Sequence, residues 1–78
     1  MRDVLITDNL FCGACGYLFS FSYFDGEQEI RRLVTSAEIL KVSPVFFHLM
    51  MRKIHANGFA MLPFTGDCKA IFEGAENV

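Results

Sequence analysis

Two cysteines three apart, Cys12 and Cys15, are the residues whose type and spacing could support chemistry. A C-x-x-C pair can supply half of a tetrahedral zinc site, or act as a redox dithiol at a helix N-terminus. Zinc needs two further ligands, and the remaining candidates are His48, His55 and Cys68. The histidines are seven apart, so they repeat neither C-x-x-C nor H-x₃₋₅-H. A redox pair wants a following helix, whereas Gly16-Tyr17 leads into a strand pattern. The expected reading is two small residues in a tight turn, with a small zinc-binding module on Cys12 and Cys15 as the alternative. His48 and His55 read as a half-buried side chain and a partner of a helix C-terminus. No G-x-S-x-G elbow, phosphate-binding glycine loop or catalytic nucleophile signature occurs. The loop carrying Asp25, Glu27 and Glu29 reads as solvated rather than as paired catalytic carboxylates. No catalytic residue, metal or cofactor is expected, and the chain is not read as an enzyme.

Composition points to partners rather than reactions. Seventy-eight residues make one domain at most, and 53% of them are hydrophobic, nine being Phe. A chain this short buries only about 60–65% of the surface its unfolded form exposes. So much apolar area cannot all be hidden, which predicts an exposed patch that invites a partner. The net charge of −2 offers no basic stripe for phosphates, so nucleic acid is not an expected ligand. Three cysteines are too few and odd in number for a disulfide framework. Arg2, Asp3 and Asp8 break a secretory-signal pattern, and no apolar run approaches the ~20 residues of a membrane helix. A cytoplasmic or nuclear protein is expected.

The elements that must carry a contact surface follow from local pattern. Residues 1–16 read as an irregular N-terminal segment with at most a short strand at Val4–Ile6. Leu18–Phe24 alternates Phe19, Phe21 and Tyr23 against Ser20 and Ser22, a strand signal. Asp25-Gly26 marks a hairpin turn, and Ile30–Val34 is the return strand, with Glu27–Glu29 implying a loop wider than two residues. Thr35-Ser36-Ala37-Glu38 is a capping box opening a short helix through Val42. Ser43-Pro44 starts a second helix, Pro44–Ala56, with Val45, Phe46, Leu49 and Met50 as its apolar stripe and Lys53 or Ile54 extending it. Asn57-Gly58 stops it. Phe59–Leu62 reads as a brief strand and Cys68–Glu73 as a final helical turn. The expected class is α+β, a small β-hairpin or sheet packed against short helices.

The stretch Leu33–Phe46, with Ile39 four residues ahead of Ser43-Pro44-Val45-Phe46, resembles the BTB/POZ domain. Phe59–Ile71, with Leu62-Pro63, Asp67 and Ala70, is similar to the strand and helix that follow in that family. The likeness covers Glu29–Phe72 and implies a truncated BTB/POZ-like domain over residues 17–78. It departs from the family at Thr35, where a His is usual. At Ile54, His55 and Ala56 it lacks the Glu of members that recruit a cullin scaffold. The chain also stops where the family continues with further helices. The resemblance implies a protein–protein interaction module, a homodimer in the manner of transcription or ubiquitin-ligase adaptors. It would self-associate through an exposed hydrophobic face of the second helix: Phe46, Phe47, Met50, Met51 and Ile54. Phe47 and Met51, beside the main stripe, are the expected exposed anchors.

Overall fold

The computed structural model describes residues 3–12, 16–64 and 66–74. The order is β1 (Asp3–Cys12), β2 (Gly16–Asp25), β3 (Gln28–Thr35), α1 (Ser36–Val42), α2 (Pro44–Asn57), β4 (Ala60–Pro63) and α3 (Asp67–Gly74). The four strands form one antiparallel sheet in the order β3-β2-β1-β4, and the helices cover one of its faces. The class is therefore α+β.

Period-2 alternation in β2 sends Phe19 and Phe21 into the core and leaves Ser20, Ser22 and Phe24 on the other face. Val4, Ile6, Val34, Ala60 and Leu62 join Phe19 and Phe21 on the helix side. From the helices come Ile39, Phe46, Met50, Ile54, Cys68 and Ile71. An aromatic cluster closes one end of this layer. Tyr23 stacks on Phe64 at 4.4 Å, and Phe72 meets both edge-on at 5.1 and 5.5 Å. Offset and edge-to-face contacts of this kind suit the ring quadrupole.

Local signals form as the sequence predicts at the helix junctions. The Glu38 N–H donates to Thr35 Oγ1 and the Thr35 N–H donates to Glu38 Oε1, both at 3.2 Å, which completes the capping box. Ser43 ends α1 and starts α2, its Oγ accepting from the Phe46 N–H at 3.1 Å. Gly58 closes α2 at φ 85°, a conformation that costs a side-chain-bearing residue a steric clash.

Two expectations are corrected. The N-terminal segment is not irregular: Asp3–Cys12 is a ten-residue strand between β2 and β4. Its alternation is masked by a register shift between Asp8 and Leu10, where an extra residue is accommodated. The hairpin loop is also narrower than expected. Asp25 pairs with Gln28, leaving Gly26 and Glu27 as a two-residue turn. Gly26 has φ 68° while Glu27 keeps a negative φ, the pattern of a type II′ turn.

Candidate interaction surface

α2 meets the sheet through β4 and β1, with Phe46, Met50 and Ile54 pointing inward at i, i+4 and i+8. Their exposures are 8%, 0% and 8%, so these three are core residues and cannot form the exposed face expected of them. Phe47 and Met51 are half-buried and pack against the same core, Phe47 meeting Phe19 edge-on at 6.2 Å. The stripe is rotated from the predicted one. Val45 is 79% exposed and Leu49 43%, one turn apart on the outer side of α2.

Leu40 and Val42 of α1 are exposed as well, so four apolar side chains lie uncovered on the two helices that meet at Ser43. Leu49 also borders an open cleft between α2, β4 and α3, lined by Phe46, Leu62, Pro63, Asp67 and Cys68. Sequence reasoning placed Val45 and Leu49 in the buried stripe. Two turns of periodicity admit either rotation, and only the position of the sheet chooses between them.

The uncovered sheet face has a different character. Ser20 sits between Leu33 and Thr7, and Ser22 between Arg31 and Leu5. Both serines are buried, although the described helices pack on the opposite face of the sheet. Leu33, Met61 and Phe24 are exposed on that face.

One polar bridge ties the layers together. Arg32 Nη2 donates to Glu38 Oε2 at 2.6 Å, and Nη1 donates to the Ile71 carbonyl. Burial pulls the Glu38 carboxyl upward. The Thr35 N–H, the Arg32 hydrogen bond and charge, and the Thr35 hydroxyl outweigh it and hold the group below 4.5.

Of the groups considered for chemistry, His48 and His55 are exposed on α2 and Cys68 is buried. Cys15 and the side chain of Cys12 lie outside the described residues. Among the described residues no cluster of three His, Cys, Asp or Glu side chains could hold a metal. None of the described helices is long and apolar enough to cross a membrane. Comparison with protein-family models, with curated proteins and with solved structures gives no match.

Proposed function

We propose that the chain is a self-associating protein–protein interaction module of BTB/POZ-like kind, with an adaptor role. The observation that carries this reading is the exposure of Leu40, Val42, Val45 and Leu49, four apolar side chains left outside the buried core. Scattered exposed apolar residues are ordinary, but a contiguous set rimmed by polar groups marks a contact site. Lys41, His48 and Arg52 are exposed on the same two helices and are the polar groups available for such a rim. The likeness of Leu33–Phe46 to the BTB/POZ pattern supports the same reading and adds self-association, through a contact that leaves this surface free for a second protein.

Val45 and Leu49 are the side chains that would insert into a partner, in place of Phe46, Met50 and Ile54. The test is size-exclusion chromatography with light scattering, together with binding of an apolar fluorescent dye. The expected mass is twice 8.8 kDa at micromolar concentration. Dye fluorescence should fall several-fold in Val45→Asp/Leu49→Asp, whose exposed positions leave the fold intact. A monomer at every concentration, or dye binding unchanged by the double substitution, would count against the proposal.

A further inference from the structure

Among the described residues β3 is an edge strand, paired with β2 alone. Its ladder can be phased from the turn. In a two-residue hairpin the flanking pair, here Asp25 and Gln28, exchanges both backbone hydrogen bonds. Alternation then turns the backbone groups of Gln28, Ile30, Arg32 and Val34 toward β2. Those of Glu29, Arg31, Leu33 and Thr35 face the open edge. The Thr35 N–H obeys this phase, since it leaves the sheet to meet Glu38 Oε1 at 3.2 Å. Among the described residues, no backbone bond outside the regular elements reaches Glu29, Arg31 or Leu33.

We propose that a second copy of this chain pairs antiparallel along this edge, β3 to β3, about a two-fold axis at Ile30. The assignment rests on the self-association reading above and leaves the α1–α2 surface free for another protein. Charge complementarity chooses the occupant and the register. Glu29 and Arg31 stand two apart on the uncovered face, with Arg31 Nη2 3.5 Å from Glu29 Oε2 of the same chain, so pairing exchanges this exposed bridge for bridges between copies. An axis at Ile30 sets Glu29 of each copy against Arg31 of the other, twice, and exchanges four backbone bonds between outward-facing groups. Ile30 then meets its own copy on the helix side.

Other registers are worse. An axis at Arg31 opposes two arginines, and one at Arg32 leaves Glu29 opposite Thr35. An axis between residues sets outward backbone groups against groups already bonded to β2. Charged residues on an edge often serve to prevent pairing. A guard of one sign does this by repelling its own copy, whereas Glu-x-Arg attracts it.

The test is sedimentation of the full chain at micromolar concentration, with Glu29→Arg, Arg31→Glu and the exchanged pair Glu29→Arg/Arg31→Glu. Each single reversal sets like charges opposite one another and should weaken association by about tenfold or more. The exchanged pair restores opposite charges and should return the wild-type mass, which also shows that the single variants dissociate rather than misfold. High salt should weaken the wild-type dimer, because the paired charges are solvent-exposed. A monomeric wild type overturns both this contact and self-association. A dimer indifferent to both single reversals, or failure of the exchanged pair to recover, overturns the edge contact alone.

Discussion

Cys68 shows how burial decides what a reactive residue type can do. The thiol is 1% exposed at the start of α3, and burial, then the charge of Asp67, raises it from 9.0 to about 11. At neutral pH it is a protonated packing residue, because the thiolate is the nucleophile and metal ligand. The unfolded chain releases this proton near pH 9.0 and the folded chain near 11. Stability from the protonated thiol is therefore complete below pH 9.0 and is lost as pH climbs through about 11. At pH 8, iodoacetamide should label Cys68 in urea but not in the native protein, as read by peptide mapping; equal rates would contradict this burial. The sequence carries a faint signal, since Cys68 lies at helical spacing from Ile71, but nothing there says which way that face turns.

At the scale of elements, boundaries were legible wherever a side chain satisfies a backbone group locally. Thr35, Glu38, Ser43, Pro44 and Gly58 end or begin helices by contacts within four residues, so their pattern is visible in the sequence. Ser43 serves two helices at once: its N–H donates to the Ile39 carbonyl at 3.0 Å, and its Oγ caps α2. Ser43→Ala should cost about 1 kcal/mol, measured as a lower urea midpoint with unchanged slope. A loss near zero would mean that water replaces the cap. β1 was not legible as a full strand. Asp8-Asn9 interrupts its alternation, and the strand is held by β2 on one side and β4 on the other. β2 follows at once, but β4 lies some fifty residues on, so no local window shows that β1 is central.

Across the whole molecule, Arg32 adds a polar link between sheet and helices to the apolar core they share. Its guanidinium bonds Glu38 at the first turn of α1 and the Ile71 carbonyl in α3, joining three elements from one position. Such a cation is also well placed on carbonyls near the helix C-terminus. Arg32→Ala should lower stability by about 2 kcal/mol in urea melts at pH 7, since charge-assisted, part-buried bonds are lost. The sign with pH follows from Glu38, whose carboxyl is held below 4.5 in the folded state. Its contribution is present above pH 4.5 and disappears as pH falls through the lower folded value, so wild type and Arg32→Ala should converge in acid. A constant difference down to pH 2 would place the effect in the Ile71 bond instead.

By itself the sequence determined the α+β class, both helix caps, the β2–β3 hairpin and an excess of apolar side chains. Each of these depends on residues within one or two turns of each other, or on composition alone. Only the tertiary structure decided that residues 3–12 form a central strand, that Phe46, Met50 and Ile54 face inward, and that Val45 and Leu49 face out. Periodicity gives a helix an apolar side without saying where the sheet lies. The missing information is the direction of the neighbour, and that direction exists only once distant strands have paired.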